Sequence, residues 1–344
     1  MNRRRFLEVF TSFIGYMGFL LAAPCKLWGG LTRDHEIKTQ VPATGTNRKC
    51  ANKTRVVLVR NRSVLTGEHS LNRSVADEML TEAMLRLTDT STPEGAWRTL
   101  FRPYDIVGIK VNALGGKRIA THPVVVEAIV IGLKHAGVPE NNIIVWDRLS
   151  DELQKAGYRI NRSKTGVRCY GTDTNYDHEP ELSGSIGSCF SKIISSQCTA
   201  LISVPVLKDH DLAGVSISLK NFYGAIHNPN KYHDNNCDPY IADLNKHPYI
   251  KDKIRLIVCD AITLLYQGGP AYKPQFSENF CGVLVSRDPV AIDSMGIQLI
   301  EDVRREKGLV SLKEVGREPV HVATAAKRGL GTDDLSEIDF IKVL

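Results

Sequence analysis

The chain has 344 residues, of which 42% are hydrophobic and 24% charged, with a formal net charge of +6. This is ordinary globular composition, and it excludes a disordered chain, a collagen-like chain and a protein of many membrane spans. Residues 1–30 hold Arg3, Arg4, Arg5 and Lys26 against Glu8, a balance of 4 − 1 = +3, so the remaining body carries only +3. With no RNA-binding motif and no basic helix bearing aromatic platforms, nucleic acid is not an expected partner.

The chain opens with a basic stretch, Arg3-Arg4-Arg5-Phe6-Leu7, followed by an apolar run from Val9 to Ala23 and then Pro24. The run is too short for a comfortable membrane span and has the layout of a signal. Arg-Arg-Arg-Phe-Leu resembles the twin-arginine export signal, with Glu8 departing at its last position. A Sec-type signal and a buried N-terminal helix stay open as alternatives. No clean Ala-x-Ala cleavage site precedes Pro24, so an uncleaved signal would be the one contact with a membrane. Residues 1–30 are therefore read as signal or anchor and 31–54 as linker, which places the mature protein in the periplasm or facing it.

From Arg55 onward, β-branched runs alternate with helical stretches. Strands are predicted at Val56–Arg60, Ile106–Val111, Ile143–Trp146, Ala200–Leu207, Val215–Leu219, Arg255–Val258 and Val283–Ser286. Helices are predicted at Val75–Thr88, Pro123–Ala136, Pro289–Glu306 and Pro319–Arg328. Thr121-His122 before Pro123, and Asp288 before Pro289, each place a capping residue beside a proline in the first turn. The alternation predicts one α/β domain over 55–344, with a mainly parallel or mixed sheet flanked by helices in Rossmann-like layers. Two polar stretches, near 150–196 and 227–247, read as insertions.

Most of the apolar runs end in a residue capable of chemistry. The sequence runs into Lys110 and Asn112, into Asp147, into Lys208-Asp209-His210, into Lys220-Asn221, into Asp260 and into Arg287-Asp288. In parallel α/β sheets ligands bind beyond the carboxyl ends of the strands, so Lys110, Asn112, Lys208, His210, Lys220 and Asn221 are expected to share one cleft. Only twelve residues separate Lys208 from Lys220, too few for a helical crossover. Those two strands are therefore antiparallel or joined by a tight turn, and an antiparallel pair would turn Lys220 away.

The same residues carry a resemblance. Lys110-Val-Asn112, Thr121-His122-Pro123-Val124-Val125, Pro205-Val-Leu-Lys208-Asp-His210, Ser218-Leu-Lys220-Asn221-Phe-Tyr-Gly224 and Asp288-Pro289-Val290-Ala291-Ile-Asp293 resemble, in this order, the family called domain of unknown function 362. The likeness runs from about Arg55 to Arg328, and the leader is similar to that of the family's exported branch. Some members carry ferredoxin-type cysteine motifs, which this sequence lacks.

The eight cysteines include no Cys-x-x-Cys pair. That argues against a ferredoxin-type cluster or zinc ribbon, while an unidentified cofactor, a metal or another iron–sulfur arrangement stays open. A second constellation, His227, His233 and Cys237, offers ligand types suited to a transition metal, although its spacing matches no zinc motif. Desolvated lysines grip carboxylate or phosphate. His210 beside cations would stay neutral and serve as a base, and Asn221 could donate to an oxyanion. The leading expectation is an enzyme acting on a small anionic ligand, with oxidoreductase, isomerase and lyase unresolved. An anion or cofactor carrier, and a metal-binding protein using the His227–Cys237 loop, are the alternatives.

Overall fold

The computed structural model describes residues 53–67 and 70–344, so the readings on the leader, on Cys25 and on Cys50 lie outside the described residues. In chain order the strands are β1 (Thr54–Arg60), β2 (Val107–Val111), β3 (Ile143–Asp147), β4 (Arg168–Gly171), β5 (Glu181–Ser183), β6 (Ile186–Ser188), β7 (Ala200–Val204), β8 (Val206–His210), β9 (Gly214–Ser216), β10 (Ile254–Leu265), β11 (Ser277–Ser286) and β12 (Ile338–Val343). The helices are α1 (Arg73–Thr88), α2 (Pro93–Leu100), α3 (Pro123–His135), α4 (Ser150–Lys155), α5 (Ser218–Asn221), α6 (Tyr240–Asn245), α7 (Pro248–Lys251), α8 (Pro289–Glu306) and α9 (Val320–Lys327). None of the described helices is long and apolar enough to cross a membrane.

The main sheet runs β12-β1-β11-β10-β7-β2-β3-β4, with β8 beside β10 and β9 beside β8. All neighbours from β10 to β4 are parallel, while β11 is antiparallel to both β10 and β1. This is the expected α/β fold with a mixed, mostly parallel sheet. Alternation along each strand sends successive side chains to opposite faces. Val57, Val59, Val107 and Ile109 pack with α1, α2 and α3 through Leu80, Trp97 and Ile129. On the other face, Val56, Leu58, Ile257 and Leu284 pack against α8, while Ile144, Trp146 and Leu201 pack with Phe190, Ile241 and Val322.

Caps fix several helices. Asn72 accepts from the backbone of Ser74 and Val75 at the start of α1. Thr92 accepts from Gly95 N ahead of Pro93 in α2, a helix the sequence reading missed. Asp288 caps α8 through Val290 N and Ala291 N, as expected. His122 precedes α3 without a side-chain capping bond, because its ring is engaged elsewhere.

Three expectations are corrected. The strand predicted over 200–207 is two, broken at Pro205, which has no N–H for a ladder, and it continues to His210. The strand predicted over 215–219 ends at Ser216, and Ser218–Asn221 is a helical turn. The Asp293 carboxylate makes the difference by accepting from Ser218 N at 2.7 Å and Leu219 N at 3.1 Å. The stretch 150–196 is not wholly an insertion, since β4 within it forms an edge of the main sheet.

Candidate functional site

Beyond the carboxyl ends of β2 and β3, the α5 turn and the segment that follows it close a cavity of about 140 Å3. Lys110, Asn112, His210, Lys220 and Asn221 line it, together with Asp147, Glu152, Ser216, Tyr223 and His233. β8 and β9 are antiparallel, with Lys208 opposite Ser216. Lys220 still reaches the cavity because it stands on the α5 turn and not on a continuing strand.

Lys110 sits in mid-sheet, in register with Trp146 of β3 and Ser203 of β7. Its Nζ lies 2.6 Å from Asp147 Oδ1, 2.6 Å from the Val111 carbonyl and 3.3 Å from Asn221 Oδ1. Asp147 in turn accepts from Ala113 N and Arg148 N, each at 2.7 Å. The pair is therefore a buried ion pair with every charge hydrogen-bonded. Gly224 passes directly over it: a Cβ there would stand 2.8 Å from Asp147 Oδ1 and 3.1 Å from Lys110 Nζ.

Asn221 Nδ2 donates to the Lys110 carbonyl and to Ser203 Oγ, both at 3.0 Å. Both hydrogens are thus engaged, which leaves Asn221 no donor for an oxyanion; it positions Lys110 instead. The free amide belongs to Asn112, whose Oδ1 accepts from Lys208 and whose Nδ2 has no protein partner among the described residues.

Lys208 is fully buried beside the cavity. Its Nζ donates to Asn112 Oδ1 at 2.9 Å, the Leu114 carbonyl at 3.0 Å and the Ile119 carbonyl at 3.4 Å. Burial pushes its pKa down to about 7, and Lys110 and Lys220 add to the effect against Asp147. Lys220 Nζ lies 3.1 Å from His233 Nε2 and 3.9 Å from the Tyr223 ring centroid, and burial lowers its pKa to about 8. His233 Nδ1 faces the Pro229 carbonyl, which can only accept, so this nitrogen carries the hydrogen and Nε2 offers its lone pair to Lys220.

His210 Nδ1 accepts from Leu212 N and Ala213 N. Burial, then Lys220 and His233, push its pKa down to about 2. The ring is neutral, as expected, but its hydrogen must sit on Nε2. His210 is therefore a hydrogen-bond donor to the cavity and not the base read from the sequence.

Two participants escaped the sequence reading. Asp147 was among the strand-end aspartates expected at the cleft but was given no role there. Glu152, on α4, lay in the stretch taken for an insertion. Burial and then the Asp147 charge raise its carboxyl pKa, against Arg148, whose Nη2 is 3.5 Å away. Of the second constellation, only His227 stands apart, exposed and packed edge-on to Tyr176, while His233 and the buried Cys237 both engage Lys220, with Cys237 Sγ 3.9 Å from the His233 carbonyl. Among the described residues, no group of three or more His, Cys, Asp or Glu side chains is arranged to hold a metal ion. The six described cysteines are all unpaired.

The family model described as domain of unknown function (DUF362) matches residues 107–298, more than half of the chain. The chain belongs to the DUF362 family. The DUF362 segment runs from β2 into α8 and contains every residue that lines the cavity. No curated protein matches the chain. A crystal structure of a Thermotoga maritima protein is similar at 11% identity, with a TM-score of 0.37, over 57% of this chain and 51% of that one. The chain thus spans about half the length of that protein.

Proposed function

We propose that the cavity is the active site of an enzyme that binds a small anionic substrate and moves a proton on it. One observation carries this reading. Among the described residues, Lys208 and Lys220 are buried at the cavity with no carboxylate within ion-pair distance. Desolvated ammonium groups without a counter-ion are costly, and an anion in the cavity supplies the missing charge. Lys208 spends its three hydrogens on protein oxygens and so contributes field, while Lys220 is placed to contribute contact. The volume is below the roughly 300–1,000 Å3 of pockets for drug-sized ligands, which points to a small substrate.

Glu152 is the group for proton transfer, because its raised pKa brings it nearer to neutral pH. Asn112 Nδ2 and His210 Nε2–H are the neutral donors for an oxyanion developing next to the abstracted proton. The test begins with native mass spectrometry of the full chain to identify the anion that co-purifies. That compound is then supplied in D2O, and deuterium uptake at a carbon next to its carbonyl is followed. Glu152→Gln is expected to lower exchange at least about 100-fold, the scale of general acid–base catalysis, with binding retained. Binding without exchange in the unaltered protein would replace the enzyme with an anion carrier.

For location we infer periplasmic delivery by the twin-arginine route, supported by Arg3-Arg4-Arg5-Phe6-Leu7 and the apolar run behind it. Replacing Arg3 and Arg4 with Lys is expected to leave the protein in the cytoplasmic fraction. Unchanged export would favour a Sec-type signal.

A further inference from the structure

The two cleft lysines that lack a carboxylate partner are not equivalent. Lys208 Nζ places its hydrogens on Asn112 Oδ1 and on the Leu114 and Ile119 carbonyls, which leaves it nothing to react with. Lys220 Nζ meets no such set of oxygens among the described residues. Its neighbours are the lone pair of His233 Nε2 at 3.1 Å, the face of the Tyr223 ring at 3.9 Å and the Cys237 sulfur. A nitrogen so placed can pass a proton to the imidazole and turn its own lone pair into the cavity that it lines. Burial favours the same form. It lowers the Lys220 pKa to about 8 against the Cys237 sulfur, so about one chain in ten holds the free amine at pH 7. Lys208 lies near enough for the two charges to oppose each other. Desolvation beside a second cation is how a lysine becomes a nucleophile.

The rest of the lining suits addition to a carbonyl. Asn112 Nδ2 and His210 Nε2–H are free to hold an oxygen that turns negative. Glu152, whose carboxyl pKa is raised by burial and then by Asp147, can return a proton to that oxygen. A cavity of about 140 Å3 that attracts an anion and presents an amine takes a ligand whose carboxylate and carbonyl are close together.

We propose that the cleft takes a small 2-oxo acid and that Lys220 Nζ joins its carbonyl carbon as an imine. This rests on the anion-binding reading of the cleft given above and names its substrate class. His233 Nε2 takes one proton from the Lys220 ammonium. The amine adds to the carbonyl, forming the C–N bond and breaking the C=O π bond, while the oxygen lies against Asn112 and His210. Glu152 protonates that oxygen and recovers a proton from the new C–N nitrogen. The proton held by His233 completes the water that leaves. In sum, the ammonium and the ketone give a protonated imine and one water, which carries off two of the three ammonium hydrogens. No oxidant or reductant is needed. The protonated imine then draws electrons from the adjoining carbon, which eases the proton removal proposed above.

The test is borohydride trapping on the full-length protein with pyruvate as the probe. Sodium borohydride reduces the imine to a stable secondary amine, and peptide mass mapping locates the added carboxyethyl group. One group per chain is expected, on Lys220. Malonate has no ketone and competes only for the anion site, so at about ten times its dissociation constant it should slow labelling about tenfold. Lys220→Arg keeps a cation but offers no such amine, and should carry no group. Mapping on the unaltered chain reads the site even if that variant fails to fold. No adduct, an adduct on Lys208 or on surface lysines alone, or labelling that malonate does not slow would each overturn the proposal. The two readings fail separately. Deuterium exchange without a trapped adduct would remove the imine and leave the proton-transfer enzyme. A Lys220 adduct whose methyl carbon takes up no deuterium would keep the imine and remove that enzyme.

Discussion

Replacing Lys110 with Met is expected to destabilise the fold by about 3–5 kcal/mol, the scale for removing one partner of a buried ion pair. Lys110 and Asp147 are 1% and 5% exposed, so little solvent screens the charge left behind. The backbone of Gly224 lies against the pair and covers it on one side. Urea denaturation with a fitted slope measures the loss. The double change Lys110→Met and Asp147→Leu should recover most of it, because no uncompensated charge remains. A neutral Lys110→Met single variant would mean that Asp147 has access to solvent.

Lys220→Gln should weaken the binding of a small dicarboxylate such as malonate by about thirtyfold or more, since truncating a buried charge partner typically costs at least about 2 kcal/mol. Isothermal calorimetry on the full chain reads this directly. The pH dependence has a definite sign. Lys208 and Lys220 have pKa values lowered to about 7 and about 8, against 10.5 for the ordinary side chain. Malonate affinity should therefore fall as pH rises from 7 to 9, where an ordinary lysine would keep its charge. Stability moves the other way. Between about pH 7 and 10.5 the unfolded chain binds protons that these amines have released in the folded state, so their contribution favours folding increasingly as pH rises. Affinity that is flat to pH 10 would defeat the assignment of these lysines to the anion.

The strands that carry Lys110, Asp147 and Lys208 were legible because a buried parallel strand is a continuous apolar run, and the polar residue at its exit is conspicuous. The α5 turn was not. Val215, Ile217 and Leu219 alternate with serines as a strand would, and only a carboxylate seventy-odd residues away, Asp293, makes Ser218–Asn221 helical. Roles were harder to read than places. Nothing local to Asn221 says that both its amide hydrogens are taken by Lys110 and Ser203. Nothing local to His210 says that two backbone N–H groups fix its tautomer. The strand β12 was missed because six residues near the chain end, Ile338–Val343, acquire meaning only beside β1, to which they pair in parallel.

The α5 turn is tied down by groups that are not needed for a ligand. Asp293 takes its first two N–H groups, Asn245 donates to the Leu219 carbonyl at 2.7 Å, and Asn221 is locked to two strands. The backbone beneath Lys220 is therefore held in place by the fold itself, which leaves little for a ligand to order. If the cleft takes an anion as proposed, it selects as a ruler does, by the distance between fixed charges. Anions one or two atoms too long should be refused outright, not accommodated by an adjusting wall.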